Sequence, residues 1–79
     1  MNEIQKKVTE MLANKFSTSE SEITLQTDIF DDLAADSLDV VELVSEMEKA
    51  YDIVISTEDA ESLRTVEDVV KMIESKKQA

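Results

Sequence analysis

The residues best placed to do chemistry are Asp36, Ser37 and Asp39, which lie where a polar loop gives way to a helical pattern. Asp36 is a favourable N-cap, because its carboxylate can accept hydrogen bonds from the free N–H groups of a first helical turn. Asp39, three residues later, occupies the position of the acid in a capping box. Ser37 is left at the first helical position, where its hydroxyl has no evident structural task. Capping explains most serines at helix starts, so its position alone assigns no function to Ser37.

An apolar feature follows this serine along the chain. The helical pattern has an inward stripe, made of Val40, Leu43, Val44, Met47 and Tyr51. Leu38 and Val41 fall outside this stripe, on the side that also carries Ser45 and Glu48. Single apolar residues on a surface are ordinary. A Leu and a Val beside a serine, with acids around them, also favour a docking anchor for a partner.

The composition excludes several kinds of site. The chain has 79 residues, of which 42% are apolar, and contains neither Cys nor His. Disulfides, zinc–thiolate sites and a cysteine nucleophile are therefore excluded, and the commonest general base is missing. No carboxylate lies in a sequence context that would bury it and raise its pKa, so we do not expect an enzyme. The length predicts one small domain over residues 1 to 79, near the lower size limit for a self-sufficient core.

The net charge of −11 is concentrated in the middle of the chain. Fourteen acidic residues lie between positions 20 and 63, where only Lys49 opposes them. Such a surface repels nucleic acid and anionic membranes and attracts basic protein surfaces, although a run of charge is equally typical of a solvated face. No segment approaches membrane-spanning length, and the N-terminus lacks the apolar region of a signal peptide. We expect a cytoplasmic monomer without stable membrane insertion.

Apolar spacing predicts an all-α fold. Helices are expected over residues 3 to 15, 37 to 50, 57 to 62 and 66 to 76, with a long first loop over residues 17 to 36. Asn2 is the expected cap of the first helix. Ser56 with Asp59, and Thr65 with Asp68, give the start signals of the last two. Together these elements predict a small four-helix bundle with a short third helix.

Two connecting segments are apolar. Five apolar side chains can pin the long loop across the bundle, namely Ile23, Leu25, Ile29, Phe30 and Leu33. A strand over residues 23 to 25 is the competing interpretation, but it has no partner strand. Residues 51 to 55 have the β-propensity of a strand and are likewise expected to form a buried connection.

The motif Asp36-Ser37-Leu38 closely resembles the attachment motif of the acyl carrier proteins. The resemblance extends to the flanking segments, Phe30-Asp31-Asp32-Leu33 before the motif and Val41-Glu42-Leu43-Val44 after it. The order and lengths of the predicted helices match this family along the whole chain. The resemblance implies that 4′-phosphopantetheine, supplied by coenzyme A, is esterified to Ser37 and carries acyl groups as thioesters. Because the chain has no Cys, the thiol for such a thioester must come from an attached group.

The resemblance also implies the partners and the residues that meet them. The partners are a phosphopantetheinyl transferase and the acyl-transfer and fatty acid synthesis enzymes, which present basic docking surfaces. The implied partner surface consists of Asp36, Leu38, Asp39, Val41, Glu42 and Glu48. The family shelters its acyl chain in an apolar cleft, for which the candidates are Leu43, Val44, Met47, Ile55, Ala60 and Leu63. The sequence pattern of these six residues would be the same if they were ordinary core residues.

The sequence departs from the family pattern at two loop positions. Ala34 stands where the family usually has Gly, and Ser56 stands where it usually has Pro. Gly is often needed at a backbone position with positive φ, where Ala is sterically disfavoured. The loop before Ser37 therefore either avoids that conformation or is locally strained.

Other functions stay open at this point. The carrier could serve a polyketide, peptide, lipid or D-alanyl pathway in place of fatty acid synthesis. In another class, the chain could be an acidic protein-interaction module without a prosthetic group, or an acidic inhibitor that imitates nucleic acid. A calcium module is disfavoured, because the acids around residues 28 to 39 lack the Gly and the alternating ligands of an EF-hand. We expect no specific metal site and only weak divalent binding that screens the charge.

Overall fold

The computed structural model describes residues 3–78, with side chains up to residue 77, as a bundle of four helices. The helices are α1 (Glu3–Phe16), α2 (Ser37–Tyr51), α3 (Thr57–Glu61) and α4 (Val66–Gln78). This confirms the predicted all-α fold, with its long first loop and short third helix. The predicted cap of α1, Asn2, lies outside the described residues. Among the described residues, no helix combines the length and apolarity needed to cross a membrane.

The helices enclose one apolar core. The start of α1 and the ends of α2 and α4 meet at one end of the bundle, where Ile4, Tyr51 and Lys77 line a common pocket. Since Lys15 in the last turn of α1 also pairs with Glu42 near the start of α2, α1 runs antiparallel to α2. The fully buried side chains of the core come from every helix except α3 and from the connecting segments, and the largest are Leu12, Ile29, Leu43, Met47, Ile73, Val8, Val66 and Val69.

The long loop is fixed across the bundle by four of the five predicted side chains, of which Leu25 and Leu33 are partly buried; Phe30 is 37% exposed, so the prediction that it pins the loop was wrong. Ile23 and Ile29 are buried, and a 3₁₀ turn (Glu20–Glu22) follows the end of α1. Backbone hydrogen bonds also join the loop to the start of α4: the Val66 N–H donates to the Thr27 carbonyl at 3.0 Å, and the Glu67 N–H donates to the Leu25 carbonyl at 3.0 Å. The loop thereby satisfies two N–H groups that a helix start leaves without intrahelical partners. No strand forms at residues 23 to 25, and Asp28 makes an isolated antiparallel bridge with Thr65.

The connection between α2 and α3 is only partly buried. Ile55 is buried, but Val54 is 78% exposed, so the prediction of a buried connection was wrong at Val54. The alternating side chains of an extended segment point to opposite sides, and one side of this segment faces solvent. The Ile55 N–H donates to the Glu48 carboxylate at 2.9 Å, which attaches the segment to α2.

The predicted start signals of α3 and α4 are confirmed. The Ser56 hydroxyl accepts from the Asp59 N–H, and the Asp59 carboxylate accepts from the Ser56 N–H. Thr65 and Asp68 make the same reciprocal pair of hydrogen bonds at the start of α4. The third helix ends at Glu61, one residue earlier than predicted.

Candidate functional site

Ser37 is the first residue of α2, and its side chain is exposed. Its neighbours form a complete capping box: the Asp39 N–H donates to Asp36 Oδ1 at 2.9 Å, and the Asp36 N–H donates to Asp39 Oδ2 at 3.1 Å. The Ser37 hydroxyl has no hydrogen-bond partner among residues 3–78. The two aspartates therefore do the capping, and the serine hydroxyl is free to take a covalent group.

The turn before Ser37 is organised by Asp28. Its Oδ1 accepts from the N–H groups of Asp31 at 2.8 Å and Phe30 at 2.9 Å. These hydrogen bonds, first the one from Asp31, lower the pKa of the Asp28 carboxyl below its ordinary value, and Arg64 adds to the effect. Arg64 holds the turn from the other side, with Nε 2.8 Å from Asp28 and a second guanidinium nitrogen 3.1 Å from Asp31. The segment leading to Ser37 is thus fixed to the residues that precede α4.

Ala34 in this segment has φ of 57°, in the left-handed region. Of the two alternatives that the sequence left open, the structure has the strained one. A Cβ in this region comes too close to the neighbouring carbonyl, at a cost of roughly 1–2 kcal/mol.

A surface groove adjoins Ser37, between α2 and α3. It has a volume of about 410 Å³ and is lined by Phe30, Ser37, Val40, Val41, Thr57, Ala60 and Glu61. A second groove of about 360 Å³ is lined by Val40, Val41, Thr57 and Ala60 as well, and extends to Val44 and Ile55. The two share four lining residues and therefore adjoin each other along α2, with mostly apolar walls. We call the two together the α2–α3 groove.

The six candidates for the cleft divide into two sets. Val44, Ile55 and Ala60 line the α2–α3 groove. Leu43, Met47 and Leu63 are 1%, 0% and 3% exposed and belong to the closed core. Helical spacing alone could not separate the two sets, because it identifies an inward face without showing where that face meets a groove.

The apolar and acidic residues of the predicted partner surface have different environments. Leu38 and Val41 are 64% and 62% exposed, as their position outside the inward stripe predicted. Glu42 pairs with Lys15 of α1 at 2.8 Å, and this hydrogen bond raises the pKa of Lys15. Glu48 is half-buried and accepts from the Ile55 N–H. Glu42 and Glu48 are therefore engaged in holding the bundle together, in addition to any contact with a partner.

The sequence model of the phosphopantetheine attachment site matches residues 6–73 of this chain. The chain belongs to this family. It is 45% identical over 76 residues to the acyl carrier protein of Syntrophobacter fumaroxidans, covering 96% of this chain and 94% of that protein. It is 41% identical over 76 residues to the acyl carrier protein of Amoebophilus asiaticus, covering 96% of this chain and 95% of that protein.

The solved structure of the acyl carrier protein from Enterococcus faecalis superposes with a TM-score of 0.83, at 40% identity and covering 94% of each chain. The function of the chain is thus to carry acyl groups on a 4′-phosphopantetheine prosthetic group. The exposed, unpartnered hydroxyl of Ser37 and the apolar groove beside it fit such an arm.

The sequence did not identify four of the residues that line the groove next to Ser37: Phe30, Val40, Thr57 and Glu61. Phe30 was expected to pin the loop, and Val40 was assigned to the inward stripe. Thr57 and Glu61 could have been identified from helical spacing. Residues three and four apart are neighbours on a helix surface, so Thr57 lies on the same face of α3 as Ala60 and Glu61. Within residues 3–78, no group of three or more Asp and Glu side chains is arranged to hold a metal ion.

Proposed function

We propose that Ser37 is the residue to which the 4′-phosphopantetheine arm is esterified, and that the chain shuttles acyl intermediates between the enzymes of fatty acid synthesis. The observation that supports this proposal is the hydroxyl of Ser37, exposed and without a partner at the start of a helix that Asp36 and Asp39 already cap. The similarity over nearly the full length to proteins named acyl carrier protein supports the fatty acid pathway. A cytoplasmic location and a monomeric state stay predictions from the sequence.

The residues of the chain present and shelter the cargo, and the enzymes that dock on it do the catalysis. The arm supplies the thiol that the chain lacks. At Ser37 a phosphodiester lies near the positive end of the α2 dipole, which stabilises it. Asp36 and Asp39 repel the same group, which directs it outward from the helix start. Their carboxylates then remain available to Arg and Lys side chains of a partner.

Intact mass spectrometry tests the attachment site. The protein is incubated with coenzyme A and a phosphopantetheinyl transferase, and we expect the mass to increase by one phosphopantetheine. The Ser37→Ala variant should show no increase. Ser45→Ala is the matched control, since Ser45 is also an exposed serine on α2, and it should be modified like the parent. Modification that persists in Ser37→Ala, or no modification by a transferase that works on another carrier, would contradict the proposal.

The proposed partner surface combines an apolar centre with an acidic rim. Leu38 and Val41 form the centre, next to the groove, and Asp36 and Asp39 form the rim. Partners with basic docking surfaces fit this arrangement, because charge attraction speeds encounter while a small apolar contact keeps the complex short-lived. The transferase and the acyl-transfer enzymes are the proposed partners.

The variant Leu38→Ser tests the apolar centre. Because Leu38 is exposed, its loss should leave the fold intact, but removing a central apolar contact should lower kcat/KM of the transferase about tenfold. Val54→Ser is the control, since Val54 is also an exposed apolar residue but lies between α2 and α3, outside the proposed partner surface. We expect less than a twofold change for Val54→Ser. Equal effects of the two substitutions would mean that Leu38 has no special place in docking.

A further inference from the structure

The third helix forms one wall of the α2–α3 groove although it has little apolar anchoring. It contributes Thr57, Ala60 and Glu61 to the lining, yet none of its five residues is fully buried. A helix of this length is not stable by itself, because the nucleation of a helix is unfavourable and only longer helices recover it. Contacts with the rest of the bundle must therefore hold the wall in place.

The buried Ile55 and Leu63 anchor the two ends of this wall, and polar contacts that converge on Asp59 add to them. Its Oδ2 accepts from the Ser56 N–H at 3.2 Å, which closes the capping box of α3. The same Oδ2 lies 2.7 Å from Nζ of Lys76, in the last turn of α4. One carboxylate thus fixes the start of α3 and ties it to a neighbouring long helix.

The ion pair has the properties of a structural tether. The side chains of Lys76 and Asp59 are 33% and 32% exposed, less than either partner of the Lys71–Glu67 pair on α4. The hydrogen bond from Lys76 is also the main reason that the pKa of Asp59 lies below its ordinary value. Lys76 belongs to α4, which is anchored in the core by its buried Val66, Val69, Val70 and Ile73.

We propose that Lys76 is a positioning residue, which through Asp59 holds α3 as the wall of the α2–α3 groove and so sets how well the groove shelters a long acyl chain. This inference rests on the proposed attachment of the arm at Ser37. Each methylene adds apolar surface that can leave water, so a long chain gains more from the groove than a short one. Loss of the tether therefore exposes long chains and leaves short ones unaffected.

The first test uses the unmodified protein. Lys76→Gln should speed amide hydrogen exchange about two- to fivefold in residues 57 to 63, the range that loss of a modest ion pair produces, and leave α1 unchanged. Lys71→Gln is the matched control, since it removes the same charge from the same helix. Lys71 Nζ lies 4.0 Å from Glu67 Oε1, and both residues belong to α4, so this pair does not tether α3. Lys76→Arg keeps the charge and should exchange like the parent.

The second test uses the loaded protein. Acetyl- and decanoyl-phosphopantetheine are attached at Ser37 from the corresponding acyl-coenzyme A, and the thioesters are cleaved with hydroxylamine. In the parent we expect the decanoyl thioester to be cleaved more slowly than the acetyl thioester. Lys76→Gln should reduce this difference about two- to fivefold by accelerating decanoyl cleavage alone. Lys71→Gln and Lys76→Arg should retain the parent ratio.

The outcomes separate the two proposals. Suppose that Ser37 is loaded but Lys76→Gln changes neither the amide exchange of α3 nor the ratio of the cleavage rates. That result would contradict the role of Lys76 and would still support attachment at Ser37. If both thioesters are cleaved at one rate in the parent, the groove does not shelter the chain and the inference fails. If Ser37 cannot be loaded at all, the proposed attachment site fails, and the sheltering role of Lys76 fails with it.

Discussion

Ala34 occupies a backbone conformation that suits glycine. Its φ of 57° places it in the left-handed region, three residues before Ser37. The loop accepts this conformation because it is fixed on both sides of Ala34: the Leu33 N–H before it donates to the Asp28 carbonyl at 3.3 Å, and the Ala35 N–H after it donates to the Ile29 carbonyl at 3.1 Å. Strained residues of this kind occur where the surrounding structure over-determines the backbone.

Replacing Ala34 with Gly should stabilise the protein by about 1 kcal/mol. The substitution removes the clash of the Cβ, worth roughly 1–2 kcal/mol, and loses part of this through the greater freedom of Gly in the unfolded chain. Urea denaturation of the two proteins measures the difference.

The neighbouring Ala35→Gly is the control for this prediction, because Ala35 is not among the residues with positive φ. There no strain is relieved, and the loss of a methyl group packed against the core adds to the greater freedom of the unfolded chain, so the protein should be destabilised by at least about 0.5–1 kcal/mol. If Ala34→Gly also destabilised the protein, positive φ at residue 34 would not be a source of strain.

At the scale of single residues, what the sequence could predict depended on how local each contact is. The capping box of Asp36 and Asp39 was predictable, because both partners lie within one helical turn. The engagement of Glu42 by Lys15 was not, since 27 residues separate them. The free hydroxyl of Ser37 was predictable in an indirect way, because its neighbours already supply the cap.

At the scale of the elements, Ser56 shows how a departure from the family pattern is accommodated. Its φ of −75° is one that proline could adopt, so the backbone keeps the usual shape. The serine supplies what proline lacks, an N–H that donates to Asp59 and a hydroxyl that accepts from the Asp59 N–H. A reciprocal cap thus replaces the rigidity of a proline ring.

The variant Ser56→Ala should destabilise the protein by about 1 kcal/mol, the usual effect of losing an N-cap side chain. Thermal or urea denaturation measures this loss, and hydrogen exchange should be fastest in α3. Ser75→Ala is the control, since Ser75 is exposed within α4, and there Ala is a better helix former than Ser. Equal stability of parent and Ser56→Ala would show that the cap is dispensable for α3.

The four helices could be predicted because α2, α3 and α4 have local capping signals at their starts, and α1, α2 and α4 have a helical apolar period. The environment of the connecting segments could not. The long loop is fixed partly by main-chain hydrogen bonds to residues 64 to 67, and every residue but proline can make such bonds. Val54 is exposed although its β-branched neighbours suggested burial, because the segment lies on the surface and buries one side. The groove likewise depends on where α3 is held, which Lys76 decides from the far end of the chain.

At the scale of the whole molecule, several acids around Ser37 have no ion-pair partner among the described residues. Lys15, Arg64, Lys71 and Lys76 form ion pairs with other acids. Asp36 and Asp39 accept hydrogen bonds from backbone N–H groups, and among the described residues no Lys or Arg nitrogen lies within 4 Å of the carboxylates of Asp36, Asp39, Glu58 or Glu61. The region around Ser37 therefore holds a local excess of negative charge. This excess attracts a basic partner and opposes the compact state at the same time.

These two effects predict opposite responses to salt. Raising NaCl from about 10 to 200 mM shortens the range of the repulsion from about 30 Å to under 10 Å. We expect Tm to rise by about 5 °C, which corresponds to about 1 kcal/mol in a domain of this size.

The same salt should lower kcat/KM of the transferase on the parent, because the attraction of a basic partner is screened too. MgCl₂ at equal ionic strength is the comparison: an equal Tm means screening alone, and a higher one means divalent binding by the acids. A Tm insensitive to NaCl would show that the local excess of charge does not destabilise the fold.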